Sequence, residues 1–225
     1  MIKPYYNKDG IIIYCGDCRK ILPDLGPAQL VMTDPPWVNL TDGMNTDNPY
    51  QLFADMCKIV FPAMAQRALV IIGCDTDPRL LTPIELPFFN RVWIKRTPVF
   101  FKGAKFIGAD IAYVYGDFRS PSGRGARVYN QEFNMVSCGK RENAHPAPRN
   151  QKTIKDILSV YSHEGGVILD PFLGSGTTTK AAKDLNRRCI GIEISEEYCE
   201  MAVRRLSQEV MVLGNYPFSY GNYSL

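Results

Sequence analysis

Val167–Thr178 reads VILDPFLGSGTT. A short apolar run ends in Asp170, a glycine-rich turn follows, and a helix-like segment begins at the threonines. Strand, glycine turn and helix start are the parts of a nucleotide-type cofactor cradle. Gly174 and Gly176 are expected to let the chain turn tightly with no Cβ in the way of a ligand. Asp170 sets a carboxylate where a cationic or hydroxyl-bearing group can lie. The pattern is not a dinucleotide fingerprint: where the third glycine of G-x-G-x-x-G is due, Thr177, Thr178 and Thr179 stand instead. No G-x-x-x-x-G-K-[ST] occurs, which excludes a P-loop. Taken alone, a Gly-Ser-Gly turn is equally compatible with a plain strand-to-helix connection.

A second stretch changes that balance. Leu30–Trp37, LVMTDPPW, again reads as a buried strand running into an acidic residue, here followed by Pro35 and Pro36. Two prolines fix the backbone and remove two N–H donors. A carbonyl beside them is then held rigidly, with no donor next to it. Asp34 adds acceptor oxygens and Trp37 a flat apolar face. Acceptors beside a stacking plane suit an exocyclic amino group on a planar base.

Together, LVMTDPPW and ILDPFLGSGTT resemble motifs IV and I of the S-adenosylmethionine-dependent DNA amino-methyltransferases. The base motif precedes the cofactor motif, an order that resembles the β class of that family. The resemblance extends from about Ile11 to Arg205. It implies a doubly wound α/β sheet of the seven-stranded, Rossmann-like methyltransferase type. The cofactor it implies is S-adenosyl-L-methionine and the partner double-stranded DNA. It also allows a homodimer. The catalytic set it implies is Asp34, Pro35, Pro36 and Trp37. Trp37 departs from the pattern, since Tyr is commoner there; the stacking plane stays and a hydroxyl is lost. Asp170, Pro171, Phe172, Gly174, Gly176 and Thr177 are the cofactor motif. Asp17, in the Cys15-Gly16-Asp17 that closes the strand-like IIIY, falls beside the adenine. Glu193, near the end of the strand-like Arg188–Ile194, RCIGIEI, is placed to accept the ribose hydroxyls. His145-Pro146 and the helix after it stand at the place of motif X, near the methionine end of the cofactor.

Composition sets the outer bounds. A chain of 225 residues with 45% hydrophobic content can form one domain with a single core. The net charge of +3 does not by itself imply nucleic acid. Seven cysteines, an odd and scattered set, argue against a disulfide framework. Cys15 and Cys18 have C-x-x-C spacing, but no second pair or histidine cluster completes a metal site, so no metal is expected. The opening MIKPYYNKDG is not a signal peptide, and no apolar run approaches the roughly 18 residues of a membrane span. The expected setting is the cytoplasm of a bacterium or of a phage-infected host.

Helices are expected over Arg19–Leu25, Tyr50–Gln66, Asn150–Tyr161 and Thr177–Leu185, with another running from a Ser195 cap to about Val210. Strands are expected at ALVIIG, RVWIK and DIAYVY, the last two as a hairpin-like pair. Residues 38–50 read as a loop over the target base. Residues 116–150 form an inserted basic segment with Arg119, Arg124, Arg127, Lys140 and Arg141, interleaved with aromatics, as DNA phosphate contact requires. The aromatic tail after Val210 has no period and no assignment.

The chemistry narrows the reading further. An exocyclic base amine delocalises its lone pair and is a poor nucleophile. Acceptors aimed at its N–H groups, from the Asp34 carboxylate and the Pro35 carbonyl, oppose that delocalisation and orient the nitrogen. Carbon-5 methylation of cytosine needs a Pro-Cys nucleophile, and no proline here precedes a cysteine. Zinc deamination needs H-x-E with P-C-x-x-C, and both are missing. In the family an Asp at the head of the Pro-Pro motif goes with adenine N6 and a Ser with cytosine N4, so Asp34 favours adenine. Cytosine N4 and a non-catalytic cofactor-binding DNA module stay as alternatives.

Overall fold

A computed structural model describes residues 2–36, 48–73, 76–95, 99–101, 104–106, 109–118, 127–130 and 150–207. In chain order, β1 is Tyr6–Lys8 and β2 Ile11–Cys15; α1 is Cys18–Ile21, continued by a single 3-10 turn, and β3 is Leu30–Thr33. Next come α2 (Pro49–Ala63), β4 (Arg67–Gly73), β5 (Phe88–Lys95), β6 (Val99–Phe101), β7 (Ala104–Phe106), β8 (Ala109–Gly116) and β9 (Arg127–Asn130). The chain then forms α3 (Gln151–Tyr161), β10 (Val167–Asp170), α4 (Thr177–Asp184), β11 (Arg188–Glu193) and α5 (Glu196–Ser207).

Among the described residues nine strands make one sheet, in the order β1-β2-β11-β10-β3-β4-β8-β5-β9. The five strands from β2 to β4 run parallel. β8 is antiparallel to both β4 and β5. The expected doubly wound α/β sheet is thus present. Its central strands are buried on both faces, which is why β3 reads LVMT with no polar alternation. One face packs Met32, Ile71 and Ile168 against α3, α4 and α5, through Ile154, Ile157, Ala181 and Ala202. The other packs Val31, Val70 and Leu169 against α1 and α2, through Ile21, Phe53, Met56 and Val60.

The winding changes direction between β10 and β3. From β10 the chain crosses over through α4 to β11 on one side; from β3 it crosses through α2 to β4 on the other. Helices α4 and α2 therefore diverge onto opposite faces, and a crevice opens beyond the carboxyl ends of β10 and β3, where ligands of such sheets bind.

Three details differ from the sequence reading. Asn48 caps α2, its side chain accepting from the Gln51 N–H, so the helix starts at Pro49, one residue before the expected Tyr50, and it ends at Ala63, before the expected Gln66. The stretch between β5 and β8 contains the hairpin β6–β7, which carried no clear strand period. The basic segment is not all insertion: Gly116 ends β8, and Arg127–Asn130 adds β9 to the sheet, parallel to β5. Gln151–Tyr161 is helical as expected, with Asn150 accepting from the N–H groups of Lys152 and Thr153.

Candidate functional site

The two quoted motifs meet at the crevice. Ile168 and Leu169 of β10 pair with Leu30 and Val31 of β3, which brings the strand ends at Asp170 and Thr33 side by side. The Thr33 hydroxyl donates to Asp170 Oδ1 at 3.0 Å. The Phe172 N–H donates to the same oxygen at 3.2 Å, and the Thr178 hydroxyl also bonds this carboxylate. Asp170 is only 3% exposed. Burial drives its pKa up to about 7, against the pull of Thr178, Thr33 and Phe172; the neighbouring Asp34 raises it further.

Beyond Asp170 the chain turns back through a left-handed Gly174 (φ 55°) and Gly176 (φ 80°). The Leu173 N–H donates to the Ile192 carbonyl at 2.9 Å. The Gly174 N–H donates to Glu193 Oε2 at 2.8 Å, and the Ser195 N–H to Glu193 Oε1 at 2.9 Å. Glu193 thus anchors the glycine turn to the end of β11 while keeping lone pairs for a ligand. Burial raises its pKa, although these N–H groups partly offset the shift. Gly176 takes the left-handed conformation that the tight turn requires. It also serves a contact that the sequence did not show: a Cβ there would lie 2.5 Å from the Ala202 Cβ, so the glycine allows the close approach of α5.

The cleft is lined by Thr33, Asp34, Asp170, Phe172, Gly174, Ser175, Thr177 and Thr178, floored by Met32 and flanked by Ile71 and Ile154. These residues bound a cleft that is open to solvent. Pro35 is buried and Pro36 partly so, directly after Asp34. Pro171 is buried at the start of the turn. Asp17 stands on the same edge of the sheet, past the strand that pairs with Glu193 through Cys15. Its carboxylate is engaged by Arg19: it caps α1 through the Arg19 N–H at 2.9 Å and meets Arg19 Nη2 at 2.7 Å, a pairing that lowers its pKa.

Trp37, His145, Arg119, Arg124, Lys140 and Arg141 lie outside the described residues, as do residues 38–47 and the tail from 208. Arg127 begins β9, opposite Val92 of β5, well along the sheet from the cleft. Three participants escaped the sequence reading. Thr33 and Thr178 clamp Asp170, and Arg205 of α5 reaches the glycine turn. Thr33 stood in plain view beside Asp34, but nothing in its strand pattern says which neighbour a β residue will face.

The family model for the DNA methylases matches residues 85–204. The chain belongs to the DNA methylase family. The match covers the chain from β5 to α5, the cofactor motif included, and the Asp-Pro-Pro strand lies upstream of it. Among curated relatives, the type II methyltransferase M.HpaI of Haemophilus parainfluenzae is 43% identical over 88 residues, 38% of this chain but only 28% of that protein. The type II methyltransferase M2.DpnII of Streptococcus pneumoniae aligns over 93% of this chain and 94% of its own length at 24% identity. The solved structure of an M1.HpyAVI–SAM complex shares the fold, with a TM-score of 0.67 at 21% identity, over 88% of this chain and all of that one. PvuII DNA methyltransferase, described as cytosine-N4-specific, has a TM-score of 0.71 at 16% identity over 92% of this chain and 90% of its own. No described helix is long and apolar enough to cross a membrane.

Proposed function

We propose that this chain transfers a methyl group from S-adenosyl-L-methionine to the exocyclic N6 amine of adenine in duplex DNA. The observation that carries the proposal is the meeting of Asp34 and Asp170 in one cleft at the switch point of the sheet. A buried carboxylate at the foot of a glycine turn, with a second carboxylate beside it, fits a ligand that is cationic at one end. Glu193, at the next strand end, fits hydroxyl donors. Relatives that act as type II methyltransferases and a fold-mate captured with SAM support the same cofactor.

The bound cofactor supplies a sulfonium-activated methyl group. In this reading Asp170, Gly174, Ser175, Thr177 and Glu193 hold it. Asp34 and the Pro35 carbonyl accept from the two N–H groups of the target amine, opposing its conjugation and fixing its approach. Asp34 then takes the proton that becomes acidic only as the new bond forms. Trp37 is the stacking floor for the flipped base. Arg119, Arg124, Arg127, Lys140 and Arg141 supply phosphate contacts, and His145 sits near the cofactor. The chain acts as one methyltransferase domain, in the cytoplasm, within a modification system.

Asp170 gives the proposal a pH signature. With its pKa near 7, the carboxyl is protonated below that value and anionic above it. A cationic ligand binds the anion, so below pH 7 binding must expel a proton. Cofactor affinity should rise by up to about tenfold per pH unit until near 7 and then level off. Calorimetry across pH 5.5–8.5 reads this directly. A flat profile would mean that the ligand does not meet Asp170. Replacing Glu193 by Ala should weaken cofactor binding by about 1–3 kcal/mol, since ligand acceptors and the anchor of the Gly174 N–H are lost together. An unchanged dissociation constant would exclude this strand end from the site.

The target base follows from Asp34, where the family pattern pairs Asp with adenine. Cytosine N4 is the second reading, favoured by the fold-mate described as cytosine-N4-specific. Nucleoside mass analysis of DNA methylated to completion should show N6-methyladenine; N4-methylcytosine in its place would overturn the choice of base.

A further inference from the structure

We propose that Arg205 is a positioning residue for cofactor binding, holding the glycine turn in its binding shape from behind. This rests on the reading of the cleft as the cofactor site. Helix α5 presents Ala202 and Arg205 on one face, one turn apart. Ala202 packs against the turn at Gly176. Arg205 Nη1 donates to the Thr177 hydroxyl at 2.8 Å, and Nη2 to the Ser175 hydroxyl at 3.2 Å. Ser175 and Thr177 are buried at 4% and 7% exposure, and both line the cleft. Arg205 itself does not line it, so any effect on a ligand passes through these two residues.

The neighbouring arginine is used differently. Arg204 is exposed and forms an ordinary ion pair with Glu200 one turn away. Arg205 is partly buried and forms no ion pair among the described residues; its guanidinium is spent on two neutral hydroxyls. Burial of that charge lowers its pKa, a strain that a purely solubilising arginine would avoid by reaching water.

The turn needs such a hold. Ser175 lies between two left-handed glycines, the most permissive backbone available, and the segment takes part in no strand ladder. Glu193 fixes its start through the Gly174 N–H. At its end the Gly176 carbonyl accepts from the Thr179 hydroxyl and the Lys180 N–H; the side chains of Ser175 and Thr177 are tied together by the planar fork of Arg205, which spans both. A turn already held in its binding shape spares the ligand the cost of ordering it.

The test uses the full chain, S-adenosylmethionine as ligand, and three variants. Calorimetry on wild type establishes the cofactor site; absence of binding there overturns the cleft reading and this inference with it. If wild type binds, Arg205→Met should weaken affinity by about tenfold to a hundredfold. Arg205→Lys, which keeps the charge but can reach only one hydroxyl, should fall between the two. Affinity lost in Arg205→Ala should be partly restored by ethylguanidinium at concentrations that leave the melting temperature unchanged. In DNA methylation assays the cofactor KM should rise while kcat at saturating cofactor stays within about twofold. Wild-type affinity in both Arg205→Met and Arg205→Lys, or a fall in kcat with unchanged KM, would overturn the assignment. So would an affinity loss that ethylguanidinium does not touch and that tracks the loss of melting temperature.

Discussion

Asp34→Ala should abolish methyl transfer while leaving cofactor affinity within about threefold of wild type. The carboxylate follows β3 on the acceptor side of the cleft, whereas the glycine turn and Glu193 belong to β10 and β11. Its proposed work is done on the target amine: it accepts an N–H, opposes conjugation with the ring and later takes a proton. Electrostatic groups of this kind contribute on the order of 10²- to 10³-fold each. Asp34 combines acceptor and proton-acceptor roles, which places the loss at the upper end or beyond. Asp34→Asn is the sharper variant, because an amide keeps one acceptor but cannot take the proton. Single-turnover assays read the chemistry and calorimetry reads the binding. Parallel loss of both would move Asp34 into the cofactor site.

Gly176→Ala should be the most destabilising single-methyl change in the cradle, by about 2–5 kcal/mol. Two costs add. The residue has φ 80°, a conformation that costs an L side chain roughly 1–2 kcal/mol. The new Cβ would also lie 2.5 Å from the Ala202 Cβ and 2.8 Å from its Cα, and backbone cannot swing aside as a long side chain does. Overpacking of this kind costs about 1–3 kcal/mol. Gly26→Ala is the matched control, since a Cβ there meets nothing within 4 Å. Urea denaturation of the two variants should separate them clearly. Equal midpoints would mean that α5 does not press on the turn.

Much of this architecture was legible because the chemistry is written in local patterns. VILD and LVMTD are too uniformly apolar before their last residues for a half-exposed strand, and each ends in an acid followed by proline. That is enough to place two parallel strand ends at one sheet edge. The Asn150 cap and the spacing of Ile154, Ile157 and Leu158 gave α3 in the same way. What stayed hidden is what depends on neighbours across the sheet. The clamp of Thr33 on Asp170 joins residues far apart in sequence, and no period encodes it. The contact of Gly176 with α5 was hidden because a glycine in a turn does not say which element presses on it. Arg205 drew no reading because its helix carries other charged side chains, and only the docking of α5 distinguishes it from Arg204. β9 was masked by the glycine- and arginine-rich segment around it, whose composition argues for loop.

The central claim is that one cleft holds both the methyl donor and the target amine. Its most direct measurement is the transfer of a tritium-labelled methyl group from S-adenosylmethionine into duplex DNA under single-turnover conditions. The expected result is label that stays with the DNA after the protein is removed, that migrates with a methylated amino-base on digestion, and that is lost in Asp34→Ala. Tight cofactor binding with no label reaching DNA of any sequence would contradict the claim and leave a cofactor-binding module that transfers nothing.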